Sequence, residues 1–475
     1  MSQIFISAAH KSSGKTTVTL GLCAALRARG IDVSPFKKGP DYIDPMWLGR
    51  AAGYACHNLD FHTMGSDEIR DTVGYYAGKA GISIIEGNKG LYDGLDLDGS
   101  NSNAALAKLL GAPVVLVLDA RGMTRGIAPL ILGYQAFDPE IRIAGVILNQ
   151  LGGNRHEAKL RAVIEHYTDV PVLGAVAKNP GLQILERHLG LVPSNEQDNA
   201  AQQVRTIGEA IAEQVDLDAL LEIARTAPLP AAPEVSPFAI DPLPQALRIG
   251  VARDEAFGFY YPGDLEAMQQ AGAELVEIDM LRTPSLPDLD GLVIGGGFPE
   301  SCMEALQAND SLRHAIRDAI ESGLPVYAEC GGLMYLARSL TWKGKTCAMA
   351  GVIPADAVMH DRPQGRGYVR LETTPAFPWP LAAGQEIAAH EFHYSALEQI
   401  PSLEQYAFKV LRGTGLDGKH DGYLYKNLLA CYSHQRSTRS NPWTQHFLAF
   451  VAQCKATARA PDNAANQLIT EDKTT

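Results

Sequence analysis

The chain has 475 residues, with 41 Lys and Arg against 54 Asp and Glu and a formal net charge of −13. That length exceeds the span over which one hydrophobic core keeps growing, so two or more domains are expected. The acidic balance excludes broad electrostatic binding to nucleic acid or to an anionic membrane, so any polyanionic ligand must be met by local positive groups.

The first residues lead straight into an apolar strand at 3–7, with no basic n-region, and no apolar run reaches the roughly 18 to 20 residues of a membrane span. The 7 cysteines are scattered and show no CxxC or Cys/His spacing of a zinc site, which points to a reducing, cytoplasmic compartment. Short β-branched runs at 3–7, 82–85, 114–118 and 143–148 alternate with helical patterns at 16–29, 102–110 and 155–166. This rhythm is βαβ, hence an α/β fold with a parallel sheet covered on both faces.

The strand at 3–7 is followed by Ser12-Ser13-Gly14-Lys15-Thr16-Thr17 at the start of an amphipathic helix, the order of a P-loop. Loop amides and the helix N-terminus would face phosphate, Lys15 would reach the β- and γ-phosphates of ATP, and the Thr16 hydroxyl would ligate Mg²⁺. Ala9 stands where the full pattern has its first glycine. Two clusters supply carboxylates at strand ends: Lys37-Lys38-Gly39-Pro40-Asp41-Tyr42-Ile43-Asp44, and Glu86-Gly87-Asn88-Lys89-Gly90-Leu91-Tyr92-Asp93-Gly94. Carboxyl ends of parallel strands are where ligands sit, so Asp41 and Glu86 could complete a Mg²⁺ shell with Thr16. Asp44 and Asp93 are further candidates, with turn formation as the alternative role. Asn149, at the end of the strand at 143–148, could hydrogen-bond an adenine edge.

Six prolines crowd residues 226–246, which can be neither helix nor central strand and read as a linker. The expected division is 1–225 for a P-loop domain, 226–246 for the linker, 247–454 for a second α/β domain and 455–475 for a polar tail. In the second domain, Pro325-Val326-Tyr327-Ala328-Glu329 reads as a strand that turns into a helix at Cys330-Gly331-Gly332. This is a nucleophile elbow built with cysteine: a helix N-terminus lowers a thiol's pKa, and the Gly331 amide is free to face an oxyanion. Gly296 and Gly297, after the strand at 292–294, offer further amides, and His434, after the apolar Leu428–Cys431, is a candidate base for Cys330. His390 and His393 share an extended segment that would send them to opposite faces, which favours a structural or substrate-lining role over a metal site.

These motifs, together with Glu186-Arg187-His188-Leu189-Gly190-Leu191 and Gly296-Gly297-Phe298-Pro299-Glu300, resemble the cobyrinate a,c-diamide synthases over nearly the whole chain. Members join a dethiobiotin-synthetase-like P-loop domain to a class I glutamine amidotransferase domain with a flavodoxin-like sheet. The resemblance implies that Cys330, helped by His434, takes ammonia from glutamine through a γ-glutamyl thioester. It implies that ATP, bound at Lys15 and Thr16, converts a and c acetate carboxylates of a tetrapyrrole to acyl phosphates that ammonia then displaces. Asp41, Tyr42, Asp44, Glu86 and Asp93 match the family's substrate and catalytic positions. Lys37, Lys38 and Arg187, then Lys89, Arg121 and Arg125, are candidate cations for a polycarboxylate.

The sequence departs from the family's usual pattern at Ala9-His10-Lys11, at Asn88-Lys89, and at Gln435-Arg436, where a second histidine and then an orienting acid are common. Arg436 therefore implies a Cys–His dyad or an acid from elsewhere. Sirohaem and nickel sirohydrochlorin are alternative tetrapyrroles, a cobyric acid synthase and a regulatory P-loop ATPase are alternative functions, and a homodimer is compatible with the sequence.

Overall fold

The alternation of strands and helices resolves, in a computed structural model describing residues 2–187, 190–197, 199–228, 230–400 and 405–471, into two units, Met1–Pro237 and Phe238–Thr475. The unit boundary falls within the Pro-rich segment, where the described residues form neither helix nor strand before Leu247. Among the described residues no helix is long and apolar enough to cross a membrane.

The first unit runs β1 (Gln3–Ala8), α1 (Lys15–Ala28), β2 (Val33–Lys38), α2 (Ile43–Ala52), β3 (His57–Leu59), α3 (Ser66–Ala77), β4 (Ile82–Glu86) and α4 (Asn103–Leu110). It continues with β5 (Val114–Asp119), α5 (Ile127–Phe137), β6 (Ile143–Leu151), α6 (Asn154–Tyr167), β7 (Val172–Ala177), β8 (Glu186–Arg187), β9 (Gly190–Leu191), α7 (Ala200–Gln214) and α8 (Leu217–Arg225). The main sheet has the order β3-β2-β4-β1-β5-β6-β7, and every neighbouring pair in it is parallel. Its strands are buried almost throughout, as parallel strands sandwiched between helices must be. The core on one side gathers Phe36, Leu59, Val73, Ile85, Leu106 and Leu116. Loops at the carboxyl ends of β1, β2 and β4 carry the sequence motifs to one rim of the sheet.

The second unit begins β10 (Leu247–Ala252), β11 (Phe257–Phe259), α9 (Pro262–Gln270), β12 (Ala273–Ile278), β13 (Gly291–Ile294), β14 (Gly296–Gly297), α10 (Met303–Ala308), α11 (Asp310–Glu321), β15 (Val326–Glu329) and α12 (Gly331–Leu336). Then come β16 (Ala337–Trp342), β17 (Lys345–Ala348), β18 (Ile353–Met359), β19 (Gly365–Thr373), β20 (Glu386–His393), β21 (Ser395–Glu398), β22 (Tyr406–Arg412), β23 (His420–Tyr425), β24 (Leu428–Cys431) and α13 (Trp443–Glu471). The parallel part of the large sheet runs β12-β10-β13-β15-β24, the 2-1-3-4-5 order of flavodoxin-like folds. It extends through antiparallel β23, β22, β19 and β20, while β17-β16-β18-β21 form a separate sheet. Helix α13 takes in most of the segment that the sequence reads as a polar tail.

Candidate active sites

In the first unit the phosphate loop is set by Gly14, which caps α1 in a left-handed conformation at φ 77. A Cβ there would come 2.2 Å from Asn149 Nδ2, so only glycine lets the loop lie against β6. Asn149 donates that amide to the Ser13 carbonyl at 2.8 Å, and Ser13 Oγ donates to the His10 carbonyl at 2.8 Å. Asn149, expected at an adenine edge, thus clamps the phosphate loop with its amide donor. Ser12, also left-handed at φ 65, is exposed, and Thr17 lies half-buried on the first turn of α1.

Behind the loop lies a buried ionic cluster. Glu86, fully buried at the end of β4, accepts from Thr16 Oγ1 at 2.9 Å, from Lys15 Nζ at 3.2 Å and from Lys37 Nζ at 2.6 Å, all on Oε1. Lys37 also donates to Asp44 Oδ2 at 2.5 Å and lies 3.8 Å from Asp41 Oδ2. The second carboxylate at Thr16 is Asp44, at 3.3 Å, and not Asp41, which the sequence placed there; α2 turns Asp44 inward, while Asp41 caps Asp44's backbone N–H at 3.1 Å. Lys37, expected to meet substrate, is instead engaged by these carboxylates. Tyr42 precedes α2 as its largely buried N-cap residue. Asp93 is exposed and accepts from the Gly90 backbone N–H at 2.8 Å, closing a turn beside the Ala9 carbonyl.

Burial alone would push Glu86 up, yet the charges of Lys15 and Lys37 outweigh it and hold the carboxyl down at about 2. Burial pulls Lys15 below the usual lysine range, with Glu86 countering. Burial also opposes the charge on Lys37, but Asp44, Glu86 and Asp41 together hold it well above its ordinary value. Asp41, its side chain still 32% exposed, is pushed up to about 7, first by desolvation and then by the Asp44 charge. Among the described residues no group of three or more His, Cys, Asp or Glu forms a metal cage. A Mg²⁺ held mainly by phosphate and water needs fewer ligands, and Glu86 Oε2 is buried without a hydrogen-bond partner, so Thr16 and Glu86 fit one. Of the other candidate cations, Arg121 pairs with Asp119, Arg125 lies over the Tyr167 ring, and Arg187 lies where no side chain is described; His188 and Leu189 of its motif lie outside the described residues.

In the second unit the chain turns from β15 into α12 at Cys330, whose backbone sits at φ 47 and ψ −97. A non-glycine residue there is strained, and strain of this kind gathers at functional sites. The turn is tight because Gly332 lies against β13: a Cβ there would come 2.1 Å from the Ile294 carbonyl oxygen. A Cβ on Gly331 would come 3.0 Å from the Gly297 backbone nitrogen, and one on Gly296 would come 2.5 Å from His434 Cε1. The three glycines proposed for the oxyanion therefore close around the thiol and the imidazole.

His434 hydrogen-bonds the Cys330 thiol, and its Nδ1–H donates to Glu329 Oε2 at 3.3 Å. The other Glu329 oxygen accepts from Tyr327 Oη at 2.5 Å and from the Gln435 backbone N–H at 2.8 Å. All three reactive groups are largely buried. Desolvation would lower His434, but its hydrogen bonds to Cys330 and Glu329 and their negative charges raise it to about 10. His390 stacks on His434 with centroids 5.0 Å apart and planes at 17°, and the two residues exchange backbone hydrogen bonds of 2.7 and 3.3 Å. His393 packs apart, stacked on Tyr432. Arg436 lies over the Tyr261 ring.

Two domain families match in sequence: the CobQ/CobB/MinD/ParA nucleotide binding domain over residues 4–192 and the CobB/CobQ-like glutamine amidotransferase domain over residues 248–442. The cobyrinate a,c-diamide synthase of Magnetococcus marinus is 47% identical over 452 residues, covering 94% of this chain and 97% of its own. The chain belongs to the cobyrinate a,c-diamide synthase family. It is thereby a glutamine-dependent ligase, and the synthase of Methanosarcina acetivorans is 42% identical, covering 91% of this chain and 92% of its own. Among solved structures, a glutamine amidotransferase of Thermotoga maritima matches 46% of this chain and 85% of its own at 12% identity and a TM-score of 0.29. For this member of the cobyrinate a,c-diamide synthase family, the motifs left one site residue unread. Glu329 directly precedes the nucleophile and stands where an orienting acid is needed; its inward strand position was the only available signal.

Proposed function

We propose that the chain uses glutamine and ATP to convert the a and c acetate carboxylates of cobyrinate to primary amides. The observation that carries this reading is the buried array Cys330–His434–Glu329, in a chain whose other unit presents a lysine and a threonine at a phosphate loop. Cobyrinate as substrate comes from the names of the relatives, which match nearly end to end.

His434, hydrogen-bonded to the Cys330 sulfur, holds the thiol proton as Cys330 adds to the glutamine side-chain carbonyl. Backbone amides of Gly331, Gly296 and Gly297 face the resulting oxyanion. His434 gives its proton to the leaving ammonia, a γ-glutamyl thioester remains, and water, deprotonated by His434, releases glutamate. Glu329 fixes the imidazole and stabilises its charge, as the acid of a nucleophile–base–acid triad does.

In the first unit Lys15 and the loop amides hold the ATP phosphates. A substrate carboxylate attacks the γ-phosphorus and ADP leaves; ammonia then attacks the acyl carbon and phosphate departs. This order is chemically required, since a carboxylate has only oxide to expel. Asp41, near 7, is poised to take the proton that the attacking ammonia sheds. Mg²⁺ at Thr16 and Glu86 would supply charge for the phosphate oxygens.

The test incubates the protein with ATP, Mg²⁺, glutamine and, in turn, cobyrinate, sirohaem and nickel sirohydrochlorin, and reads the mass change of OH replaced by NH2. Two amides on cobyrinate are expected. Amidation of another tetrapyrrole instead would move the substrate, and no amide on any would overturn the reading.

A further inference from the structure

Strand β2 carries two lysines of opposite fate at its carboxyl end. Side chains alternate along a strand, and Lys37 faces the Asp44 and Glu86 carboxylates. Lys38 shares the other face with Phe36, which packs in the core with Leu59, Val73 and Ile85. Lys38 is only 6% exposed and, among the described residues, makes neither a hydrogen bond nor an ion pair. The charges that face it are Asp60, just past β3, the exposed Lys89, in the loop after β4, and Lys37. The loop after β4 lies against the end of β2, with Asn88 Nδ2 3.2 Å from where a Gly39 Cβ would stand.

Two lysines thus stand at the rim of the sheet, Lys38 on a buried stem and Lys89 in the loop that lies against the end of its strand, with Asp60 nearby, whose Oδ1 accepts from the His62 backbone N–H at 3.1 Å. Holding a cation on a buried stem, beside a like charge and without a direct partner, is unfavourable for the protein alone. Burial leaves Lys38 at about 8, so it is still charged at neutral pH. An anionic ligand reverses both penalties. We propose that Lys38 and Lys89 form a subsite for a substrate carboxylate that does not react, on the face of β2 opposite Lys37 and the phosphate cradle. The subsite deepens the amidation reading and rests on it. A carboxylate is favoured over an ATP phosphate because Lys15 and the phosphate loop serve the Lys37 face, and a tetrapyrrole polycarboxylate carries acid groups beyond those amidated.

The experiment compares the full-length protein with Lys38→Met, Lys89→Gln and the double variant. Removing one charge-assisted contact should raise KM for cobyrinate about tenfold, with the double variant higher, while KM for ATP stays within about twofold and kcat changes less than KM. Melting of Lys38→Met should hold or rise, because a cation on a buried stem without a direct partner is gone. Calorimetric binding of cobyrinate and of its fully methyl-esterified form, measured without turnover, should show a preference for the free acid that the variants lose. An unchanged KM and an unchanged preference, a rise in KM for ATP alone, or a fall in melting temperature with no change in either would overturn the subsite. Lys89→Gln, a surface change, keeps the test decisive should Lys38→Met fail to fold. If the parent protein amidates no tetrapyrrole, the functional reading fails by itself, and the binding comparison still decides the subsite.

Discussion

In the first unit Glu86, Asp44, Asp41, Lys15 and Lys37 neutralise one another at the ends of β2 and β4, whereas in the second a thiol, an imidazole and a carboxylate are held by strained backbone and stacked rings. The first array depends on side chains whose positions follow from mutual charge, so a change of charge should disturb it most. The second depends on how closely β13, β15 and α12 approach, so an added methyl should disturb it as much as a lost charge. The two also differ in what they lack: the thiol, base and acid form a complete hydrolytic set, while the lysine–carboxylate cluster has groups that only phosphate and substrate can satisfy.

The sharpest separation of the two comes from their nitrogen sources. Cys330→Ala should lower glutamine-driven amidation on the order of 10⁴-fold while amidation from ammonium salts persists. Lys15→Ala should lower amidation from both sources on the order of 10³-fold and leave glutaminase in place, as read by glutamate release; persistence of either activity in the wrong variant would break the division of labour.

Glu329→Gln should cost glutaminase about 10²-fold. With a folded pKa near 10 against an ordinary 6.5, His434 keeps its proton until the pH rises through about 10. The stability it contributes is complete below 6.5 and is lost over the same rise. The alkaline limb of glutaminase should therefore fall near pH 10, and Glu329→Gln should move it to lower pH; an unmoved limb would deny Glu329 its part. Gly332→Ala, pressed on the Ile294 carbonyl, should destabilise the second unit by about 1 to 3 kcal/mol in denaturant melts without altering ammonium-driven amidation in the protein that remains folded. Smallest, Asn149→Ala should weaken ATP binding by about 1 kcal/mol by loosening the phosphate loop.

Sites made by consecutive residues were legible in the sequence. Gly14-Lys15-Thr16 and Cys330-Gly331-Gly332 announce their geometry because a strand, a tight turn and a helix follow one another within a few positions. Helix and strand positions in the βαβ stretches also emerged from periodicity, with α1, α4 and α6 each within a residue or so of expectation. Partnerships between distant residues were not legible. Lys37 read as a free cation because nothing local shows that Asp44 on α2 and Glu86 on β4 converge on it. Glu329 meets His434 across 105 positions, and Arg436 occupies the place where an acid would have been sought. Apart from the extended segment at His390 and His393, the strands from β18 to β23 went unread because their half-exposed faces leave short, mixed runs in place of apolar blocks.

The backbone bridge between His390 and His434 has a topological consequence. Strands β24, β23, β22, β19 and β20 are linked in that order, and the bridge joins the last of them to the residues just past the first. The row of strands is thus pinned back at its catalytic end by one isolated bridge, which occupies the outer backbone edge of β20 at His390. Residues 374–385, between β19 and β20, stand outside this pairing, so the backbone mount of the imidazole runs through His390 and not through that loop.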